Sequence, residues 1–452
     1  MQVTETMSQG LKRELKVIVG KDELAAKFNT ALESFRHQAN LKGFRKGKVP
    51  TTHLKKLYGR SLMGDVLQET LDETSRKAIT DRNERPAMQP KVDLAQDKDT
   101  IDQVVEGKAD LAYTMSFEVL PEIKITDLSV IKLEKETAEV EAKDIDKGID
   151  ELVERSISHE DQDGRAAAEG DRVTIDFIGR VDGVEFQGGK GDDMPVVIGR
   201  GGFIPGFEDG LKGTKAGDKL TIKATFPEGY PEATLAGKAA EFETTVKAVG
   251  APKKPDVNDD FAKTLGVESA DKLREAISAQ IKNQYDQLTR MKLKRQLLDE
   301  LDKTHQFDLP ESLVNNEFEG IWAQVTGQLQ QSGKTFADEG KTEDAARDEY
   351  KKIAERRVRL GLVIGEIGDK QKIQVSQDEL GRALVEQARK YPGQEKFVYE
   401  YYQKNPQALT ELRAPIFEEK VVDYIVELAK PATKTVTREE LLKAAEDADK
   451  IG

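Results

Sequence analysis

The chain has no cysteine, which excludes disulfides, thiolate catalysis and cysteine-ligated metals and suits a reducing compartment. Its four histidines, His37, His53, His159 and His305, are scattered without ligand-like spacing, so neither a metal nor a cofactor is expected. No stretch approaches the roughly 20 apolar residues needed to cross a bilayer. Met1 to Leu15 is polar and charged where a signal peptide needs an apolar core, so a cytoplasmic protein without a membrane partner is expected. The glycine-rich stretch Gly199 to Phe207 is not closed by Gly-Lys-Ser/Thr and lacks a dinucleotide fingerprint, which removes nucleotide binding as its reading. The most telling absence is local. No Asp or Glu occurs from Ser34 to Gly64, although the formal net charge of the chain is -14.

That acid-free segment holds eight cations: Arg36, Lys42, Arg45, Lys46, Lys48, Lys55, Lys56 and Arg60. Its centre, Gly43-Phe44-Arg45-Lys46-Gly47-Lys48-Val49-Pro50, sets three cations and one aromatic in a loop punctuated by glycines and a proline. A sign reversal of this kind is the pattern expected where a protein touches phosphates. Lys and Arg supply charge for phosphate oxygens and acidic side chains, and Phe44 at a loop tip can anchor in a small apolar pocket on a partner. For an isolated patch, plain solvated charge is the competing account. No helix-turn-helix or zinc module accompanies the segment, so sequence-specific DNA recognition is not expected.

At 452 residues the chain should divide into roughly three domains of about 150 residues each. Alternation of Leu11, Leu15, Val17 and Val19 predicts a strand over 11–19. Leu24, Phe28, Ala31, Leu32 and Phe35 form the stripe of an amphipathic helix. After the basic loop, Pro50-Thr51-Thr52 predicts a helix start with Leu54, Leu57, Tyr58 and Leu62 as its buried stripe. A strand through Leu111, Tyr113, Met115, Phe117 and Val119 ends an α+β domain over 1–120. Residues 121–150 read as a connector that leads into a helix through Ile145, Ile149, Leu152 and Val153. Over 151–250 glycines become dense and strands are predicted at 173–178, 194–198, 219–226 and 241–249, a mainly antiparallel β domain. Ala251-Pro252-Lys253-Lys254-Pro255 reads as a linker by composition. Residues 251–452 read as all-α, with stripes at Phe318, Ile321, Trp322, Val325, Leu329 and at Phe417, Val421, Tyr424, Ile425, Leu428, and with capping boxes at Ser376/Glu379 and Thr437/Glu440. For single residues of this domain, such as Ile321, Trp322 or Phe397, burial in the helical core is the expectation.

The apolar residues Phe177, Phe186, Met194, Ile204, Phe207, Tyr230 and Phe242 fall on separate strands and turns and could line one hydrophobic cup. Here the chain resembles the FKBP family of peptidyl-prolyl isomerases, through Val173-Thr174-Ile175-Asp176-Phe177, Gly183-Val184-Glu185-Phe186, and above all Phe203-Ile204-Pro205-Gly206-Phe207-Glu208-Asp209-Gly210-Leu211 with Gly217-Asp218. The resemblance implies an antiparallel sheet wrapped on a short helix. It also implies a proline-binding cup of Phe177, Phe186, Ile204, Phe207, Tyr230 and Phe242, with the Ile204 backbone and the Tyr230 hydroxyl bonding the peptide. Two departures stand out: Gln187 where an Asp normally follows the Phe, and Phe207 in place of a floor Trp. They bear on macrolide binding more than on isomerisation.

The order of basic loop, FKBP-like domain and all-α domain resembles the trigger factor family of bacterial chaperones across essentially the whole chain. Val257-Asn258-Asp259-Asp260-Phe261-Ala262 and Arg356-Arg357-Val358-Arg359-Leu360-Gly361-Leu362 add to the likeness. This resemblance implies that Phe44, Arg45 and Lys46 contact the ribosome near its exit tunnel, at a ribosomal protein and rRNA. It also implies that the helical domain, set in space between the other two, cradles nascent and unfolded polypeptides without ATP, and it leaves open a homodimer off the ribosome. Two alternatives stay open at the level of sequence: a free-standing FKBP-type isomerase, and a non-enzymatic RNA-binding or ribosome-maturation factor.

Overall fold

The computed structural model of the chain describes residues 1–41, 44, 45, 47–94, 98–232 and 234–449. The described chain divides into two compact units, one of Met1–Lys135 with Met291–Lys434 and one of Glu136–Arg290 with Thr435–Gly452.

In the first unit a four-stranded antiparallel sheet has the order β1-β2-β4-β3, formed by β1 (Gln2–Gln9), β2 (Lys12–Val19), β3 (Lys91–Asp93) and β4 (Leu111–Glu118). Strict alternation decides which face is buried: Leu15 pairs with Met115 and Val17 with Tyr113, and all four side chains go under the helices. The Tyr113 hydroxyl is satisfied in that core by the Thr74 hydroxyl at 2.8 Å and the Ser75 hydroxyl at 3.1 Å. The covering helices are α1 (Lys21–Gln38), opened by Asp22 and Glu23 at its positive end, and α2 (Thr51–Thr80), with the short α3 (Lys98–Val105) following. Strand β1 lies outside the sequence reading because every residue of it is exposed and no apolar alternation marks it. Leu57 and Tyr58 depart from the predicted stripe of α2: Leu54 is buried, whereas Leu57 is 54% exposed and Tyr58 rests its ring on Phe35 at the surface.

Residues 121–133 are no loose tether. Ile123, Leu128, Ile131 and Leu133 are buried along a strap, broken by one 3-10 turn at Leu128–Val130, among Leu293, Leu297, Val363, Ile364, Val421 and Ile425. The helices supplying that core are the end of α7 (Ala270–Thr304), then α9 (Glu343–Gln371) and α12 (Pro406–Ala429). Beside them run α8 (Glu311–Ser332), α10 (Gln377–Arg389) and α11 (Glu395–Lys404). The Ser376/Glu379 capping box is present, with the Ser376 N–H donating to Glu379 at 2.7 Å.

The second unit is built on a five-stranded antiparallel sheet of β6 (Ser158–Asp161), β7 (Arg172–Val181), β8 (Val184–Val197), β9 (Lys219–Thr225) and β10 (Ala239–Lys253), against which lies the five-residue α5 (Phe207–Leu211). β10 is the hub, pairing with β7 on one side and with β9 and then β6 on the other. The segment read as a linker differs: Ala251, Pro252 and Lys253 continue β10 and pair with Glu160, His159 and Ser158. Proline is tolerated there because the β7 pairing ends at Gly250, leaving one neighbour and a free edge for the residue without an N–H. The helix read through Ile145 and Ile149 is α4 (Ala142–Arg155), which packs on α6 (Asp259–Thr264) and the start of α7 through Phe261, Leu273 and Ile277. Among the described residues no helix is long and apolar enough to cross a membrane.

Candidate functional site

The cup predicted from sequence is assembled on the face of the second unit's sheet that packs against α5. Phe177 comes from β7, Phe186 from β8, Phe242 from β10, and Phe207 from the first turn of α5. Phe207 is fully buried and forms the floor: its ring meets Phe242 edge-on at 5.1 Å and Phe177 at 5.9 Å. Edge-to-face contacts of this kind fix ring orientation beyond what burial alone does. Phe186 stands over Phe242 at 6.2 Å, and Ile204 and Tyr230 are half-buried at the rim. Two further walls lie outside the predicted set. Phe203 stacks on Phe207 at 4.9 Å, and Phe226 meets Phe186 at 5.6 Å and Tyr230 at 4.8 Å. Their signal in the sequence was adjacency alone, Phe203 beside Ile204 and Phe226 at the end of a strand. Met194 is displaced to the outside, 39% exposed.

Glycine makes room for the rings. A Cβ at Gly179 would lie 2.6 Å from the Phe242 ring, and one at Gly191 would lie 2.6 Å from the Phe177 ring. Gly206, with φ of 88°, turns the chain into α5 and so delivers Phe207 beneath the other aromatics. Among the described residues neither the Ile204 N–H nor the Tyr230 hydroxyl has a hydrogen-bond partner, so the rim offers two free polar groups above an apolar floor. What such a site can do is strip water from a peptide and favour one geometry of its backbone.

The basic loop joins α1 to α2 in the first unit. Val49 is buried with Phe28, Leu32, Leu54 and Met63, which nails down the base, while Phe44 at the tip is 39% exposed with its ring 5.4 Å from His53. Arg45 and Lys48 are exposed, and among the described residues they make no ion pair. Arg36 and Arg60 differ, being paired with Glu33 at 2.9 Å and Asp102 at 2.6 Å. Lys46, the third predicted contact residue, lies outside the described residues.

Comparison with known proteins decides the family. A model of the bacterial trigger factor protein matches residues 1–152, one of the trigger factor C-terminus matches 269–427, and one of the FKBP-type peptidyl-prolyl cis-trans isomerase matches 163–247. The trigger factor of Rhodopseudomonas palustris is 49% identical over 448 residues, covering 99% of both chains, and that of Azorhizobium caulinodans is 50% identical over 447 residues with the same coverage. The chain belongs to the trigger factor family. It is a ribosome-associated chaperone that carries an FKBP-type peptidyl-prolyl isomerase domain. A solved trigger factor chaperone, studied for promiscuous substrate recognition in folding and assembly, shares the fold at a TM-score of 0.54 and 22% identity, over 94% of this chain and 99% of the other.

The helical part of the chain bears an unexpected surface. Phe397 is 69% exposed rather than buried, because Val398, one position on, is the residue of α11 that turns inward. Tyr391, Tyr399 and Tyr401 on the same stretch are exposed as well. Ile321 follows expectation and is buried, and Trp322 is half-buried between the Phe336 and Phe318 rings with the Arg347 guanidinium 4.3 Å from its centroid.

Proposed function

We propose that the chain docks at the ribosomal exit tunnel through the 43–50 loop and receives nascent polypeptides there, in the cytoplasm and without ATP. In this reading residues 1–120 serve docking, 121–150 connect, 151–250 with the 251–253 end of β10 isomerise prolyl bonds, and the helices that follow hold clients. The observation that carries it is the exposed Phe44 on a loop anchored by buried Val49 and flanked by the unpaired Arg45 and Lys48. Phe44 enters an apolar pocket of a ribosomal protein, while Arg45 and Lys46 meet rRNA phosphates or acidic side chains. Docking raises the effective concentration of the emerging chain, so weak contacts with clients suffice and release needs no nucleotide. The exposed aromatics Tyr391, Phe397 and Tyr401 suit such weak contacts with apolar client segments. Off the ribosome, self-association into a homodimer would cover the same surfaces.

The isomerase step follows from the cup. Rotation about a prolyl bond is opposed by a barrier of about 18–20 kcal/mol because it breaks amide resonance. The proline ring enters the pocket floored by Phe207 and walled by Phe177, Phe186 and Phe242. The Ile204 N–H and the Tyr230 hydroxyl hold the flanking peptide, and the dry walls favour the twisted amide, whose charge separation is smaller than that of the planar one. No proton moves. The test is co-sedimentation with purified ribosomes at low and raised salt. Salt-sensitive binding that the Phe44→Ala, Arg45→Ala, Lys46→Ala triple variant abolishes is expected, and binding indifferent to those three residues would overturn the docking reading. Turnover of a proline peptide that is lost in Phe207→Ala and Tyr230→Ala is expected of the cup.

A further inference from the structure

The loop that carries the cup's rim has little to hold it in place. Residues 199–203 read Gly-Arg-Gly-Gly-Phe, so three of five positions have no side chain and the segment is intrinsically mobile in φ and ψ. It is nevertheless held: the Arg200 guanidinium donates to the Glu154 carbonyl at 2.9 Å and the Arg200 N–H to the Val197 carbonyl at 3.3 Å, while the glycine and Phe203 N–H groups converge on one side chain. The Glu208 carboxylate on α5, adjacent to the floor residue Phe207, accepts the Gly199 N–H at 2.8 Å and the Gly201 N–H at 3.2 Å on one oxygen, and the Phe203 N–H at 3.3 Å on the other. Phe203 is the ring stacked on Phe207, and the next residue is Ile204, whose N–H is free.

We propose that Glu208 is a positioning residue of the isomerase: its carboxylate gathers the 199–203 backbone so that the Phe203 ring and the Ile204 N–H stand ready for the peptide before it arrives. Burial works against the charge of Glu208, but the N–H groups of Gly199, Gly201, Phe203 and Gly202 outweigh it and hold the carboxyl below its ordinary range, so the clamp is ionised at neutral pH. The neighbouring acids do other work. Glu169 and Asp209 both pair with Lys212, at 2.9 and 2.8 Å, and neither accepts from the loop backbone. Glu208 does not touch the peptide. Its effect is on the fraction of molecules whose rim is formed, and a ligand that binds only the formed rim sees its apparent affinity reduced by that fraction.

This inference rests on the isomerase reading, and the experiment separates the two. Steady-state isomerisation of a proline peptide is measured for the full chain and for Glu208→Gln, which keeps the shape of the side chain but turns one of its acceptors into a donor facing a backbone N–H. A rim formed about a tenth of the time raises KM about tenfold while kcat stays within about twofold. Molecules lost irreversibly to aggregation do the opposite, lowering apparent kcat and leaving KM alone, whereas reversible global unfolding would raise KM in the same way. Circular dichroism of each variant under the assay conditions gives the unfolded fraction, and a rise in KM fully matched by that fraction overturns the proposal. Glu208→Asp keeps the charge but is one methylene short. It is expected to fall between the two, and it carries the test if Glu208→Gln does not fold. An unchanged KM in both variants, or a fall in kcat alone, overturns the proposal while the isomerase reading stands. An unsubstituted chain that fails to turn the peptide over removes both.

Discussion

Replacing Gly179 by alanine tests whether the aromatic cup is as tightly assembled as its geometry implies. The new Cβ would lie 2.6 and 2.9 Å from two atoms of the Phe242 ring and 3.0 Å from the Phe186 ring, so Phe242 has to retreat by about 0.8 Å to reach an ordinary contact of 3.4 Å. It has nowhere empty to go: Phe207 stands at 5.1 Å, Phe177 at 6.0 Å and Phe186 at 6.2 Å, and the backbone of β10 is fixed by pairing on both sides. Overpacking of this kind costs about 1–3 kcal/mol, while the stiffer unfolded chain returns about 0.4–1 kcal/mol. The clash is therefore expected to win by about 1–2 kcal/mol. The assay has two parts: kcat/KM on a proline peptide, expected to fall because Phe242 is pushed into the cup, and hydrogen exchange of the β10 amides, expected to quicken by about tenfold. If kcat/KM and exchange both stay within a factor of two of the unsubstituted chain, the cup is looser than argued and the reasoning from ring contacts fails.

Arg165→Ala strips the fork that bonds the fully buried Asp171 carboxylate at 2.9 and 3.0 Å, leaving the Ala168 N–H; a lower urea midpoint is expected, with a smaller loss than for a wholly buried pair because the Arg165 side chain is 34% exposed, and urea unfolding followed by isomerase activity measures it. Burial raises the Asp171 carboxyl but the Arg165 guanidinium and the Ala168 N–H more than offset it, so the folded carboxyl is depressed; its stabilisation is complete above the ordinary carboxylate range and disappears as pH falls below it, which an acid titration of the isomerase part should record in the unsubstituted chain and lack in Asp171→Asn. Lys420, with the Ser376 N–H and hydroxyl, holds Glu379 down to about 2, so the start of α10 is protected from hydrogen exchange at neutral pH and loses that protection between about pH 4.5 and 2; Glu379→Ala, which has no acceptor for the Ser376 N–H, should be unprotected and insensitive to pH across this window. The single tryptophan, Trp322, reports on the α8–α9 hairpin, so its fluorescence transition in urea should not coincide with loss of isomerase activity, and coincident curves would mean that the two units unfold as one.

The parts of the fold written as side-chain periodicity were legible: β2 and β4 by alternation, α1, α8 and α12 by their stripes, and the start of α10 by its capping box. The parts written as pairing were not. β1 has no buried residue to betray it, and Ala251–Lys253 belong to a strand only because β6 returns to pair with them, a partner about ninety positions away in sequence. Composition misled for Phe397 in the opposite sense, since hydrophobicity predicts burial only where something packs on the residue, and α11 spends Val398 on its core contact. At the candidate site the aromatic set was named through the resemblance to the FKBP family, whereas Phe203, Phe226 and the Glu208 clamp depend on contacts between turns that no local pattern announces.

The cup illustrates why residues that touch a substrate are an incomplete account of a site that does no chemistry on it. In the proposed mechanism, which uses neither a nucleophile nor a proton transfer, the isomerase acts through the shape and dryness of the pocket, and shape is set as much by missing side chains as by rings. Phe242 and Phe177 can lie where they do only because positions 179 and 191 carry no Cβ, and α5 can approach β9 only because a Cβ at Gly210 would meet Ile222 at 2.7 Å. Those three glycines fix rigid surfaces by absence. The glycines of 199–203 do the reverse, since they leave the rim free to move, and it is there that a carboxylate is needed. A catalyst of this kind should therefore be more sensitive to a methyl group added at Gly179 or Gly191 than to the loss of the Glu208 carboxylate, because the first alters the pocket in every molecule and the second alters only the fraction that is ready.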